Sequence, residues 1–322
     1  MTQRTTLINP GLIWAKEILV NSITHCTPLT HDAGPRRYCR LHLNSGGSLI
    51  LVDQSNSFEK KLEFRLLQQK YIELGLLVPE IIYSAGNDQF LILSDLGDIL
   101  LEAVLTENNV FSLYNNAMAL LPNIRKLDNW NATLPIFDAA FYAREFALFT
   151  TWYLQNYKKI SLDKKISAEL ERCADFLTKE ILAQPQVGVH RDFHCRNLLL
   201  QPNMQIGIID FQDSAMGPIS YDVISLVYDA YAYWPEHITQ ALLAQHYSAN
   251  KEINTKMSLN TWLYHCRIMS IQRHLKILGT FARKIILDGD LRYKSALDIT
   301  LRYLHKSLPQ HTELITITRW ID

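Results

Sequence analysis

The sequence predicts an α+β, bilobal fold: a small antiparallel-sheet N-lobe and a larger, mainly helical C-lobe. Three observations predict it. Short apolar runs separated by turn residues crowd the chain before Gly97. Long amphipathic segments dominate after it. A single strand pair interrupts those helices. At 322 residues the chain has room for two domains, placed here at 1–95 (nucleotide-binding lobe) and 96–322 (helical lobe with catalytic loop and substrate site).

Taken in order, Arg37-Tyr38-Cys39-Arg40-Leu41-His42-Leu43 alternates broadly in polarity. Asn44-Ser45-Gly46-Gly47 supplies a turn, and Ser48-Leu49-Ile50-Leu51-Val52 returns as a second strand. Between 58 and 76, Leu62, Leu66, Leu67, Tyr71 and Leu74 recur at three- and four-residue steps, the signature of a helix. Residues 78–83 read as extended, and Gly86-Asn87-Asp88 turns the chain into the strand Phe90-Leu91-Ile92-Leu93. Amphipathic stretches then cover 138–157, 167–183 and 260–287. The interrupting pair is Asn197-Leu198-Leu199-Leu200, a turn at Pro202-Asn203, and Gln205-Ile206-Gly207-Ile208-Ile209-Asp210.

Composition excludes several classes. Hydrophobic residues make up 48% and charged residues 20%, as in ordinary globular proteins. Lys+Arg and Asp+Glu are both 32, which argues against nucleic acid as a partner, because phosphate contacts demand a basic bias. The 5 cysteines include no CxxC pair, against a disulfide framework or a structural zinc site. Arg4, Asn9, Pro10, Lys16 and Glu17 break up the start, so no signal peptide is read there. No apolar run approaches the ~20 residues of a membrane span. A cytoplasmic monomer is the expectation, with no membrane partner.

The strongest chemical signal is His190-Arg191-Asp192-Phe193-His194-Cys195-Arg196-Asn197, of the form H-R-D-x-x-x-x-N. That pattern suits phosphoryl transfer, which needs a carboxylate beside the attacking hydroxyl and oxygen ligands for Mg²⁺. Asp192 is the candidate for the first role. Asn197, with an amide oxygen, and Asp210, at the end of an apolar strand, are candidates for the second. Asp210-Phe211-Gln212 stands where a D-F-G would.

The segment resembles the aminoglycoside and choline phosphotransferase superfamily, whose fold is similar to that of protein kinases and whose loop reads H-G-D-x-H-x-x-N. Within it, 184–197, 210–222 and 272–283, with Arg36-Arg37-Tyr38 and Leu93-Ser94-Asp95-Leu96-Gly97-Asp98, look most like bacterial anomeric kinases of N-acetylmuramate and N-acetylglucosamine. The likeness covers nearly the whole chain. It implies ATP and Mg²⁺ as cofactors, a sugar as acceptor, phosphorylation of the anomeric hydroxyl, and a role in peptidoglycan recycling. It further implies that His194 faces the transferred phosphate, that Asp222 caps the catalytic loop, and that the adenine site uses backbone groups of Ser94, Asp95 and Leu96.

The chain departs from the kinase pattern in the small lobe. The strand that should carry a phosphate-gripping lysine ends Leu49-Ile50-Leu51-Val52-Asp53, and the loop at 32–35 has one glycine. The missing charge is expected from Arg36, Arg37 or Arg40, since guanidinium clamps phosphate bidentately. For the acceptor, Arg273 and Lys276 share one helix face, and their buried charge needs either a substrate carboxylate or a structural salt bridge. Glu145, Arg196 and Asp229 complete the candidate substrate contacts. Two other readings compete: a phosphotransferase for an aminoglycoside, choline or another small alcohol, and a nucleotide-binding pseudokinase scaffold.

Overall fold

The computed structural model describes residues 10–29, 36–55, 61–129 and 134–321. In chain order the elements are α1 (Pro10–Ile18), β1 (Ile23–Leu29), β2 (Arg37–Leu43), β3 (Ser48–Asp53), α2 (Lys61–Glu73), β4 (Ile81–Ser84) and β5 (Phe90–Ser94). Next come α3 (Leu101–Val104), α4 (Val110–Met118), α5 (Leu121–Arg125), α6 (Ala139–Leu148), a π-helix (Phe149–Tyr157) and α7 (Lys164–Leu182). Then follow β6 (Gln186–Val189), β7 (Leu198–Leu200), β8 (Ile206–Ile208), β9 (Ala215–Pro218) and α8 (Tyr221–Val227). The chain ends in α9 (Glu236–Ala249), α10 (Lys251–Asn254), α11 (Leu259–Asp288), α12 (Tyr293–Ser307) and α13 (Thr318–Ile321).

Two units emerge. The first is Met1–Ile99 with Leu199–Gln212, the second Leu100–Leu198 with Asp213–Asp322. The first division falls after Ile99, whereas the sequence reading sets its boundary at 95/96. The strand pair embedded in the helical half, however, groups with the first unit. Its backbone explains why: Leu200 N–H donates to Ile99 O at 2.7 Å, Ile208 N–H to Leu77 O at 2.8 Å, and the Gln201 amide to Leu96 O at 2.8 Å.

The first unit is a five-stranded antiparallel sheet of order β1-β2-β3-β5-β4. The β2–β3 turn needs φ 85° at Gly46 and φ 79° at Gly47, conformations that favour glycine. Leu41, Leu51, Ile92 and Ala15 of α1 form a fully buried cluster. Neither α1 nor β1 is evident in the sequence pattern. β1 shows little alternation because much of it is exposed at the sheet edge, where Pro28 is tolerated.

The second unit is built on α11, which packs against the π-helix, α6, α7, α8 and α12. Ser258 caps its start by accepting from Thr261 N–H. Gly279 lets α11 approach the start of the π-helix: a Cβ there would lie 2.2 Å from Leu148 C. The antiparallel pair β6–β9 brings Val189 opposite Ala215. That pairing delivers both the 190–197 loop and α8 to one place.

Candidate active site

The loop after β6 is fixed by two carboxylates. Asp222, in the first turn of α8, accepts His190 N–H at 2.7 Å and Arg191 N–H at 3.0 Å. Burial pushes its carboxyl up to about 6, against the pull of those donors and of Arg273 and Arg125. Asp229, read from sequence as a substrate contact, accepts Cys195 N–H and Tyr231 N–H, each at 2.9 Å, and so holds the far side of the loop. His190 is fully buried with its ring edge on Phe193, a loop-orienting position.

Arg191 stands where the H-G-D pattern has glycine, and its φ is 79°. A side chain in that region is strained by roughly 1–2 kcal/mol. Its guanidinium lies over the rings of Phe137 (5.9 Å) and Phe141 (5.7 Å) and 3.9 Å from Asp213 Oδ1. These contacts offset the strain.

Asp192 is the open member of the cluster, with its side chain 34% exposed. Burial would raise its carboxyl, but Lys276, Arg273, His194 and Arg191 outweigh it and hold the group down at about 2. The carboxylate is therefore ionised throughout the neutral range. Asn197 donates its side-chain N–H to Asp192 O at 3.0 Å, which assigns the other end of the amide as the oxygen. His194 packs edge-on to Tyr231 at 5.4 Å, and its Nδ1 is buried without a hydrogen-bond partner among the described residues.

The basic pair of α11 is accounted for internally. Lys276 Nζ lies 3.3 Å from Glu145 Oε1, and Gln272 donates to Glu145 Oε2 at 3.3 Å. Arg273 donates to Arg191 O at 3.2 Å and sits 3.9 Å from Asp192 Oδ1, over the Tyr221 ring at 5.1 Å. Arg196 makes two 2.8 Å bonds to Glu102 and stacks on Tyr231 at 3.7 Å. Glu102, Gln272, Tyr142 and Tyr221 were not anticipated as site residues. Tyr221 and Gln272 had a usable signal, the first beside Asp222 in the 210–222 stretch and the second beside Arg273 in the 272–283 stretch.

In the first unit, Arg37 bonds Asp53 at 2.6 Å, which neutralises the acid at the end of β3. Arg40 bonds Asp95 through two nitrogens (2.5 and 3.1 Å) and pairs with Asp98. Arg36 is buried, 5.5 Å from the Phe64 ring, and acts with Asp210 on the Tyr38 hydroxyl, so the three are neighbours. Asp210 has φ 64° and accepts from Gln212 Nε2 at 2.5 Å. The next residue, Phe211, is anchored against Phe64 and Tyr71 of α2, each at 5.1 Å. Ser94 N–H donates to Glu80 O at 2.8 Å, and Leu96 O accepts from Gln201. The 32–35 loop lies outside the described residues.

Comparison with known proteins agrees with this architecture. The model of the phosphotransferase enzyme family matches residues 25–256. An N-acetylmuramate/N-acetylglucosamine kinase of Pseudomonas aeruginosa is 35% identical over 292 residues, covering 89% of this chain and 85% of that protein. A protein of the same name from Pseudomonas putida is 30% identical, with 89% and 85% covered. Choline kinase LicA from Streptococcus pneumoniae superposes with a TM-score of 0.62 at 12% identity, over 93% of this chain and 99% of that one. The fold is that of the protein-kinase-like phosphotransferases, and with its intact 190–197 loop the chain belongs to the phosphotransferase enzyme family.

Proposed function

We propose that the chain is an ATP-dependent kinase that phosphorylates the anomeric hydroxyl of N-acetylmuramate and N-acetylglucosamine. The observation that carries this reading is an ionised Asp192, flanked by Lys276 and Arg273, in a chain alike over most of its length to kinases of those sugars. The acceptor oxygen attacks the γ-phosphorus, the bond from that phosphorus to the ADP oxygen breaks, and ADP leaves. The acceptor proton passes to Asp192. A carboxyl at about 2 is a weak base, so Asp192 first orients the hydroxyl and takes the proton late, as the new P–O bond forms.

Asn197 and Asp210 each carry an oxygen donor of the kind that suits Mg²⁺. Among the described residues no group of three or more His, Cys, Asp or Glu side chains is arranged to hold a metal. Arg36 is the arginine proposed to grip phosphate, being the one beside Asp210 rather than paired with Asp53 or Asp95.

The balanced charges around Asp192 disfavour a polycationic aminoglycoside, which would call for an acidic site. The test is incubation with Mg-ATP and a panel of N-acetylmuramate, N-acetylglucosamine, choline and an aminoglycoside, reading phosphorylated product by ³¹P NMR. Sugar 1-phosphate is expected, and Asp192→Asn should abolish it. No turnover of either amino sugar would sink the reading.

A further inference from the structure

Three buried polar atoms on the helices that carry Glu145 and Arg273, or that pack against them, have no hydrogen-bond partner among the described residues. They are the hydroxyls of Tyr142 on α6 and Tyr221 on α8, and Oε1 of Gln272 on α11. Their residues are 1%, 0% and 3% exposed. Among the described residues none of the three atoms has a hydrogen-bond partner. Leaving such groups unpaired is costly, and natural proteins rarely do so without a reason in function.

The three belong to one connected cluster. The Phe137 ring contacts both Tyr142 (6.3 Å) and Tyr221 (5.3 Å). Glu145, one turn along α6 from Tyr142, takes both Gln272 Nε2 and Lys276 Nζ at 3.3 Å. Tyr221 lies under Arg273, which reaches Asp192. Burial, then Tyr221 and Glu145, raise the Tyr142 hydroxyl far above the ordinary tyrosine range, so it stays protonated and able to donate. Asp192 is the member open to solvent.

The unmet valences define a ligand. Tyrosine hydroxyls can donate or accept. Gln272 has its NH₂ committed to Glu145, so its free end is an acceptor that needs an N–H or O–H. A quaternary ammonium has neither. A sugar carrying hydroxyls and an acetamido N–H offers both.

We propose that Tyr142, Tyr221 and Gln272 read the acceptor: the two hydroxyls bind sugar hydroxyls, and Gln272 Oε1 accepts the acetamido N–H, beside Asp192. This rests on the amino-sugar kinase reading. The experiment compares Tyr142→Phe, Tyr221→Phe and Gln272→Met with wild type, measuring kcat/KM for N-acetylglucosamine and for glucose, KM for ATP, and Tm. Each variant should lose roughly 10- to 100-fold in kcat/KM for N-acetylglucosamine. The ATP KM should stay within about twofold. Tm should hold or rise in the two Tyr→Phe variants, because an unpaired buried hydroxyl has been removed, and fall modestly in Gln272→Met, which also takes a donor from buried Glu145. Gln272→Met should also shrink the preference for N-acetylglucosamine over glucose, which a packing role would not do. Unchanged sugar kinetics in all three variants, or losses that fall equally on ATP and Tm, would overturn the assignment while leaving the kinase reading intact. A wild-type protein inactive on both amino sugars would overturn the two together.

Discussion

Arg273 bridges the backbone and the carboxylate of the 190–197 loop: Nη1 donates to Arg191 O at 3.2 Å while Nη2 lies 3.9 Å from Asp192 Oδ1. One planar fork thus fixes the backbone before Asp192 and the direction of its side chain. A point charge cannot do both. Arg273→Lys should therefore behave like Arg273→Met, each lowering kcat by about 10- to 100-fold through misplacement of the carboxylate. ATP affinity, measured by calorimetry, should change little. Full activity in Arg273→Lys would show that charge alone suffices.

Arg191 pays for its backbone with its side chain. Replacing it by glycine relieves strain of about 1–2 kcal/mol and forfeits cation–π contacts of about 0.5–2 kcal/mol. The expected net change for Arg191→Gly is within about 1.5 kcal/mol of zero. Arg191→Val keeps the strained φ, loses the contacts and adds a β-branch, so it should cost about 1–3 kcal/mol. Urea denaturation of the two variants decides it. Equal losses would mean that the backbone angle carries no strain.

Asp222 ties protein stability to pH. Its carboxyl titrates at about 6 in the folded chain, above the ordinary carboxylate value of 3.8. Between those values the folded state keeps a proton that the unfolded state has released. Stability therefore falls as pH rises through this window and levels off above about 6, a loss on the order of 2–3 kcal/mol. Asp222→Asn should flatten this part of the profile, while lowering stability overall, because an amide keeps only one of the two oxygens that separately accept His190 N–H and Arg191 N–H. Urea midpoints at pH 4.5 and 7 test it. A wild-type slope retained in the variant would assign the dependence to other groups.

The three candidate arginines of the first unit should separate by phenotype. Arg36→Ala is expected to raise the ATP KM by about tenfold or more, as the loss of one charge-assisted contact. Arg40→Ala takes the cationic partner from the Asp95 carboxylate, leaving it the Ser48 and Gly97 donors, and should cost about 1–3 kcal/mol. Arg37 is more than half exposed, so Arg37→Ala should cost less than Arg40→Ala. An unchanged ATP KM in Arg36→Ala would remove Arg36 as the phosphate clamp.

What the sequence made legible was local. The 190–197 loop is a contiguous string, and the fixed hairpin length before Asp210 marks its partner strand pair. The Arg37–Asp53 pair was within reach as well, because the β2–β3 turn sets the register that places those two opposite each other. Tyr142, Tyr221 and Gln272 were not. On an amphipathic helix a buried tyrosine or glutamine has the same spacing whether its polar end is satisfied or waiting for a ligand. Only the packing of α6, α8 and α11 tells the two apart. Likewise the sequence leaves Lys276 open between a substrate carboxylate and a structural salt bridge until Glu145, far away in sequence, is seen beside it.

That separation is held by Gly279. It follows Lys276 by one turn of α11, and Leu148 follows Glu145 by one turn of α6, so the same helix crossing sets the 3.3 Å Lys276–Glu145 pair. A Cβ at 279 would lie 2.2 Å from Leu148 C, 2.3 Å from Leu148 O and 2.5 Å from Phe149 N. These are backbone atoms and cannot swing aside, so Gly279→Ala must push α11 away from α6. Overpacking of this kind costs about 1–3 kcal/mol and sometimes more. The displacement should also open the acceptor side of the site, raising the sugar KM several-fold more than the ATP KM. Calorimetric melting and steady-state kinetics on the same preparation test both halves. A destabilised variant whose sugar KM is unaltered would show that the helix crossing sustains the fold without setting acceptor geometry.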